Sequence, residues 1–383
     1  MPERNMEANI ESLELARDVI KPFILPSLND YLIAPKYSRF TEDGPIINPN
    51  VIALAKSSLK ITKSVAPKVD KTLSEVCDKL KIDRQLINLY VFPDSEIKAF
   101  CYVNNLPIAI GVSSGTIKSL SHDQLCFVLG HEIGHALIGS VIRYSEESKS
   151  LEDMIFARAL ELSSDRIGLI ATKDFDTAAK TILIILSGLD DALLRYDYSS
   201  FIEEAKIVIN DETAQHDLYS SHPPLAQRFK ALTQFSICSD YLSFIKKRTD
   251  GNLSIDKINE SILHGLEDSI DAKALTIIDK ELEDFYIWVF SVFIFAKIKI
   301  DLDDLNKKLS LNVKKEEIQK AFNFISSHSQ SEKIDILDEK IQNTLKKCYQ
   351  IAPRKLVNGI DLLNKLFPTV KFTDADYIES ILV

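Results

Sequence analysis

The sequence lacks the features of a disulfide-stabilised protein. Its 383 residues include only five cysteines, scattered and never spaced as C-x-x-C: Cys77, Cys101, Cys126, Cys238 and Cys348. A disulfide framework or a cysteine-based zinc site needs paired or closely spaced cysteines. We therefore expect free thiols and a reducing compartment, which predicts a cytoplasmic location.

The sequence also lacks an apolar run long enough to cross a membrane. A spanning helix needs about 20 mainly apolar residues, whereas the nearest candidate, Phe285 to Ala296, has roughly a dozen and is bounded by Asp284 and Lys297. Residues 1–10 are polar and do not show the basic start and apolar core of a signal peptide. These absences predict a soluble protein.

Positive charge is in deficit. The chain has 46 basic and 56 acidic side chains, which gives a net charge of −10 at neutral pH. This balance argues against general affinity for nucleic acid or for anionic membranes. The hydrophobic content of 45% is that of a globular protein, and the length allows two domains.

What the sequence does contain is the pattern H-E-x-x-H at residues 131–135, inside an apolar stretch with helical periodicity. On a helix His131 and His135 rise from one face about one turn apart, so both rings can reach one metal ion. Glu132 lies about 100° round the helix, within reach of a water on that metal but turned away from binding it. The alternative is a surface helix with two solvated histidines.

The flanking residues also bear on this helix. Ser121 and Gln124, three residues apart, predict a capping box at its start. Gly130 and Gly134 each cost about 1 kcal/mol inside a helix. We therefore expect another backbone or a substrate to approach the helix closely at these positions.

A catalytic zinc ion needs a third protein ligand. The next strong helical pattern begins near Ser150 and places Glu161 and Asp165 on one face. Glu161 would bind the metal, and Asp165 would accept the N–H of a ligating histidine and so fix its tautomer. The alternative is a solvated acidic face paired with Arg158 or Arg166.

A third motif, S-S-H-P-P-L-A-Q-R-F, occupies residues 220–229. Its prolines suit the first turn of a helix, and His222 then stands at the junction between loop and helix. A lone loop histidine is the alternative. In this order the three motifs resemble peptidase family M48, whose members share H-E-x-x-H, then E-x-x-x-D on a later helix, then an H-P motif followed by an arginine. The resemblance covers about residues 60–235.

The resemblance implies an α+β, zincin-like (gluzincin) metallopeptidase domain with a small sheet packed on the active-site helix. It implies a zinc-dependent endopeptidase acting on protein or peptide substrates, with a zinc-activated water that loses its proton to a glutamate. The residues carried over are His131, His135 and Glu161 as ligands of one Zn²⁺ per chain, Glu132 as general base, and Asp165 as partner of a ligating histidine. His222 and Arg228 would flank the zinc from the other side, and one or the other would stabilise the oxyanion.

Three stretches near 86–92, 97–103 and 107–112 have the composition of strands and predict the sheet. A helix over about 51–80 precedes them. The family pattern Asn-Ala-Phe on the second strand reads Lys98-Ala99-Phe100 here. We expect this strand to bind an extended substrate at the edge of the cleft through backbone hydrogen bonds. Lys98 would blunt the exposed edge or attract acidic substrates.

The chain is predicted to comprise an N-terminal helical arm (1–50), the peptidase domain (51–240) and a mostly helical C-terminal domain (241–383). Residues 300–340 show the order helix, turn, helix and strand of a winged-helix module, with the strand at Ile334 to Leu337. Residues 301–328, however, balance five acidic against five basic side chains. A DNA reader presents a basic helix, so a scaffold or protein-docking module is favoured.

Two alternatives to an active endopeptidase stay open at this stage. A latent or pseudo-peptidase would bind zinc while His222 fills the fourth metal position. A regulatory protein would sense a partner through the peptidase-like domain and act through its helical C-terminal domain. The sequence does not specify the oligomeric state.

Overall fold

The computed structural model describes residues 2–31, 40–41, 44–45, 49–102, 107–138, 150–198, 217–247, 253–264 and 270–371. The chain divides into two compact units. The first comprises residues 1–144, 156–211 and 221–265, and the second comprises 145–155, 212–220 and 266–383. The domain boundaries near residues 50 and 240 stay predictions, and residues 248–252 of the polar stretch at the second boundary lie outside the described residues.

A four-stranded sheet forms part of the first unit. Its strand order is β3-β4-β6-β5, with β4 and β6 parallel and the other neighbours antiparallel. All three stretches with strand composition form strands in it, although residue 103 lies outside the described residues. The strands are β3 (Leu59–Lys60), β4 (Ile87–Phe92), β5 (Ala99–Tyr102) and β6 (Ile108–Ser113), and a separate two-stranded pair joins β1 (Phe40–Thr41) to β2 (Gly44–Pro45).

Helices pack against this sheet in the first unit. Two short 3-10 turns follow the first helix, at Lys21–Phe23 and Pro26–Tyr31. Residues 151–155 of α6 are assigned to the second unit. The helices are α1 (Pro2–Ile20), α2 (Pro49–Ser57), α3 (Pro67–Leu80), α4 (Ser114–Ser119), α5 (His122–Ile138), α6 (Leu151–Thr172), α7 (Phe175–Ser187), α8 (Leu225–Ser236), α9 (Ser239–Phe244) and α10 (Ile255–His264).

The single helix predicted over residues 51–80 is wrong. The chain leaves α2 to form β3, and the amide of Ile61 donates to the carbonyl of Leu89 at 2.8 Å. A turn follows, and α3 begins at Pro67, whose missing N–H is tolerated in the first turn of a helix. Pairing with the sheet therefore decides the structure of a stretch that helical periodicity alone assigned to one helix.

The two helices of the predicted H-E-x-x-H and E-x-x-x-D motifs both begin with reciprocal side-chain caps. At α5 the amide of Ser121 donates to Oε1 of Gln124 at 2.8 Å, and the amide of Gln124 donates to Oγ of Ser121 at 3.3 Å. At α6 the amide of Ser150 donates to Oδ2 of Asp153 at 3.1 Å, and the amide of Asp153 donates to Oγ of Ser150 at 3.1 Å. The predicted capping box at the start of α5 is confirmed.

Helices α5 and α6 cross at their glycines. A Cβ atom added to Gly130 would lie 2.5 Å from Cβ of Ala171 and 3.1 Å from Cα of Gly168. One added to Gly134 would lie 3.1 Å from Cα of Ser164. The expected close approach of another backbone is thus confirmed, and it places the histidines of α5 opposite the carboxylates of α6.

The N-terminal arm is fastened to these two helices through hydrogen bonds. Nε of Arg17, which is buried, donates to the carbonyl of Leu137 at 3.1 Å, and the amide of Leu25 donates to Oγ of Ser163 at 3.1 Å. Nη1 of Arg166 donates to the carbonyl of Phe23 at 2.9 Å. The arm therefore supports the back of the helix pair.

The second unit is helical in its described residues and has its own apolar core. The apolar run of α11 lies in this core, with Phe285, Phe290 and Phe293 fully buried. Leu337, Ile341, Leu356 and Leu363 of later helices join the same cluster. The helices are α11 (Ile270–Phe295), α12 (Leu302–Leu309), α13 (Lys315–Ser326), α14 (Gln330–Ile351) and α15 (Pro353–Leu366).

The strand predicted at Ile334 to Leu337 is wrong, because these residues lie inside α14. Apolar residues continue at helical spacing to Ile341 and Cys348, both of which are buried. The segment 300–340 therefore has no wing, and the winged-helix interpretation does not hold for it.

The helices described here include none that combines the length and apolar character required to cross a membrane.

Candidate metal centre

The centre is built first from two histidines of α5. Nε2 of His131 and Nε2 of His135 lie 2.9 Å apart, and the two ring centroids are 4.6 Å apart. Their separation of four residues on one helix produces this pairing directly. Both side chains are largely enclosed, with exposed fractions of 12% and 17%.

Glu161 of α6 faces the pair. Its Oε1 lies 3.3 Å from Nε2 of His135, and its Oε2 lies 3.6 Å from Nε2 of His131. The ligand atoms of these three residues all lie within 4.8 Å of one another. Two imidazoles and one carboxylate are a donor set typical of a catalytic zinc site, which keeps a further position for water or substrate. The residues present therefore fit such an ion.

The local charges keep Glu161 ionised. Burial opposes its ionisation, but His135, His222 and His131 outweigh burial and hold the pKa of this carboxyl well below its usual range. Burial alone would lower the pKa of His135, yet Glu161 and Glu132 raise it overall. A negative ligand thus faces two imidazoles that attract it.

Asp165, one turn further along α6, fixes the orientation of His131. Its Oδ1 lies 3.0 Å from Nδ1 of His131, which therefore carries the proton and leaves Nε2 facing Glu161. Arg228 of α8 donates from Nε to Oδ2 at 2.8 Å and from Nη2 to Oδ1 at 2.6 Å. Burial opposes ionisation of Asp165, but Arg228 and His131 lower its pKa overall.

The acidic face of α6 is not solvated. Glu161 and Asp165 are 8% and 1% exposed, and Asp165 pairs with Arg228 of a distant helix. Arg166 instead points to the N-terminal arm and donates to Oδ1 of Asn259 at 2.9 Å. The alternative of surface ion pairs along α6 therefore does not describe these side chains.

Glu132 lies beside the donor set and is 7% exposed. Burial raises the pKa of this carboxyl, and the neighbouring His131 and His135 only partly oppose the shift. The thiol of Cys101 on β5 lies near enough to this carboxyl to lower its pKa slightly against the effect of burial. Sequence reasoning missed Cys101, although it is two residues after Ala99 and so shares that residue's face of the strand.

His222 reaches the centre from the segment before α8. Its Nδ1 lies 3.3 Å from Oε1 of Glu161, while its side chain is 70% exposed. The hydrogen bond to Glu161 raises the pKa of His222. All of the motif residues from the sequence thus meet in one place, except that Arg228 contacts Asp165 rather than the donor set.

Strand β5 is an edge strand of the described sheet, next to the centre. The ring of Phe100 lies over Gly111 and packs against Phe92 at 5.5 Å and Tyr102 at 5.3 Å between centroids. It therefore faces away from Cys101 and Glu132. Lys98 pairs with Asp94 at 2.9 Å and with Glu96 at 2.7 Å, both in the loop before the strand.

Residues 63–157 match the sequence model of a family described as Peptidase family M48. The matched segment contains His131, Glu132 and His135 and ends before Glu161. No curated protein and no solved structure matches the chain at a significant level.

Proposed function

We propose that this chain is a zinc-dependent endopeptidase, because it belongs to peptidase family M48 through residues 63–157. His131, His135 and Glu161 would hold one Zn²⁺, and Glu132 would act as general base. The observation that carries the proposal is the convergence of these three ligand atoms within 4.8 Å, beside a buried carboxylate. When bound, zinc supplies a Lewis acid for the substrate carbonyl and lowers the pKa of a bound water.

Glu132 is suited to move protons. Burial raises its pKa, so the carboxylate is a stronger base than an exposed glutamate and can accept a proton from the attacking water. The protonated carboxyl can then pass that proton to the leaving amine. Its position on α5, turned from the ligand face, leaves it free of the metal for this work.

His222 and Arg228 receive different roles. The pKa of His222 is raised by its bond to Glu161, so its imidazolium form is favoured and can donate a hydrogen bond to the developing oxyanion. Nε and Nη2 of Arg228 both donate to Asp165. We assign it a positioning role, in which it holds Asp165 and, through Asp165, the ring of His131.

The substrate would lie along β5. As an edge strand it presents backbone groups to an extended peptide, which can add to the sheet. Ala99 would take part through its backbone, and so would Phe100, because the ring of Phe100 is packed on the other face of the sheet. The ion pairs of Lys98 with Asp94 and Glu96 favour its role in blunting the edge over attraction of acidic substrates.

The ligand assignment is tested by zinc content after dialysis against zinc-free buffer. The wild type should retain zinc at this centre, and His135→Ala and Glu161→Gln should each hold about one zinc per chain less than the wild type. His328→Ala is a matched control, since His328 lies in the second unit. Full zinc retention by both site variants would show that the ion is bound elsewhere.

A further inference from the structure

A second group of metal-ligating side chains lies at the start of α5. Nε2 of His122 is 2.9 Å from Oε2 of Glu75 on α3 and 3.9 Å from Sγ of Cys126, one turn along α5. The ligand atoms of the three residues all lie within 4.8 Å of one another. His122 precedes His131 by nine residues, or about 14 Å along the helix axis, so this group is separate from the proposed peptidase centre of His131, His135, Glu161 and Glu132.

A hydrogen bond orients His122 for this role. Oγ1 of Thr72 donates to the carbonyl of Lys68 at 3.1 Å, one turn back on α3. Since the hydroxyl proton is used there, Oγ1 of Thr72, 3.0 Å from Nδ1 of His122, can accept from the Nδ1–H form that a metal on Nε2 requires. This leaves Nε2 facing Glu75 and Cys126. A histidine whose other nitrogen is held by a fixed partner is the arrangement seen at metal ligands.

The spacing suits a small ion with tetrahedral ligands. Zinc bonds of about 2.0–2.1 Å to nitrogen and oxygen and about 2.3 Å to sulfur put neighbouring ligand atoms roughly 3.3–3.6 Å apart. The observed separations of 2.9 Å and 3.9 Å lie on either side of this range. Shifts of a few tenths of an ångström would bring both pairs into this range, and the carboxylate of Glu75 already lies within 4.8 Å of the thiol of Cys126.

The surroundings suit a cation and admit water. Oδ1 of Asp123 lies 4.0 Å from Nε2 of His122, which adds a second carboxylate near the group. Two cations oppose them: Nζ of Lys71 lies 3.7 Å from Oε1 of Glu75, and Lys79 lies near enough to Cys126 to lower the pKa of its thiol. Cys126 is buried, whereas the side chains of His122 and Glu75 are 49% and 36% exposed. Solvent can thus supply the fourth ligand.

We infer that Glu75, His122 and Cys126 form a second metal site, for Zn²⁺ or a divalent ion of the same borderline class. Binding exchanges the thiol proton of Cys126 for the metal and releases that proton to solvent. The ion would join α3 to the first turn of α5, a role independent of peptide hydrolysis. Thiolate ligation distinguishes this site from the peptidase centre, whose donor set contains no sulfur.

Titration of the full-length, metal-free protein with Co²⁺ tests the inference. A thiolate ligand produces a near-ultraviolet thiolate-to-cobalt charge-transfer band, which a site of histidine and glutamate cannot give. We expect this band in the wild type and in His135→Ala, since the latter removes only a ligand of the peptidase centre. Zn²⁺ added afterwards should abolish the band by displacing cobalt.

The variants separate the possible sources of the band. Cys126→Ser should remove it, while Cys101→Ser, which alters the thiol beside Glu132, should keep it. Because Cys126 is buried, the exposed changes Glu75→Gln and His122→Ala provide a second test that spares the core. Each should abolish the band at a Co²⁺ concentration that saturates the wild type. Absence of the band in the wild type, or its loss only in Cys101→Ser, would leave His122 and Glu75 as a simple ion pair and overturn the inference.

Discussion

At the scale of single residues, we expect the proposed peptidase centre to depend on Asp165. This buried carboxylate accepts two hydrogen bonds from Arg228 and one from His131, so it links α8 to the ligand face of α5. A buried charge pair that loses one member leaves the other uncompensated, which costs far more than loss of an exposed pair. Asp165 should therefore affect both stability and metal affinity.

Asp165→Asn should weaken zinc affinity by about 10–100-fold, because the orientation of His131 is no longer fixed by a carboxylate. It should also lower the free energy of unfolding by about 3–5 kcal/mol, since Arg228 stays buried without its charge partner. Chelator competition and chemical denaturation measure the two effects. Asp304→Asn is the control, because its pair with Lys308 is exposed and contributes at most about 1 kcal/mol. If the two variants gave equal results, Asp165 would contribute no more than an exposed ion pair does.

Residues of the centre differ in how well the sequence could predict them. The proximity of His131 and His135 follows from helical spacing alone, and the structure shows it. Whether the three ligands hold zinc stays a prediction. Alternation along β5 places Cys101 on the face of Ala99, but the meeting of this face with Glu132 depends on how β5 packs on α5. The bond between Arg228 and Asp165 likewise depends on tertiary packing of α8.

At the scale of elements, the crossing of α5 and α6 sets the distance between the histidines and Glu161. The crossing is close because Gly130 and Gly168 have no side chains there. A Cβ on Gly168 would lie 2.9 Å from the backbone oxygen of Phe127, so neither helix leaves room for a side chain on the other at these glycines. The cost of glycine within both helices is thus explained by the geometry of the centre.

Gly130→Ala should destabilise the protein and weaken zinc binding together. The new methyl group would meet Cβ of Ala171 at 2.5 Å and the carbonyl oxygen of Ile167 at 3.2 Å, and this backbone atom cannot simply rotate away. Overpacking costs about 1–3 kcal/mol, which exceeds or offsets the gain of about 1 kcal/mol in helix propensity. Thermal unfolding and zinc competition provide the measurements.

Gly359→Ala is the matched control for this change. It introduces the same methyl group into α15 of the second unit, against the hydroxyl of Tyr286. It should lower stability without changing zinc affinity. A Gly130→Ala protein with wild-type zinc affinity would show that the helix crossing does not determine the metal geometry.

Two of the elements predicted from the sequence are wrong. The stretch 51–80 has helical periodicity, but pairing of β3 with β4 divides it. The stretch 334–337 is rich in isoleucine, which favours strands, but the apolar spacing continues through α14 and the helix prevails. In both cases the deciding information lies in residues outside the window that suggested the assignment.

At the scale of the whole molecule, the division into two units can be predicted only in part from the sequence. The helical character of the C-terminal region follows from its apolar spacing. The assignment of residues 145–155 and 212–220 to the second unit does not, because it depends on contacts between segments far apart in the chain. Leu151 and Leu218, for example, lie in the same cluster as the core of α11.

Phe290→Ala tests whether the second unit has its own stability. The side chain is fully buried, so its removal should reduce the free energy of unfolding by about 3–5 kcal/mol. Zinc content at temperatures where the variant remains folded should stay at the wild-type level. Phe324→Ala, at a position that is 47% exposed, should change stability by less than about 0.5 kcal/mol. Loss of zinc in folded Phe290→Ala would mean that the second unit is required to form the metal centre.

The central claim, that zinc-dependent peptide hydrolysis uses Glu132 as its base, is tested most directly by Glu132→Gln. Turnover of an unfolded protein substrate should be measured for wild type and variant at equal, verified zinc content. The account predicts that the variant keeps its zinc and loses cleavage by about 100-fold or more, since general-base catalysis contributes that much. Unchanged cleavage by Glu132→Gln, or a zinc-loaded wild type that cleaves no substrate, would contradict it.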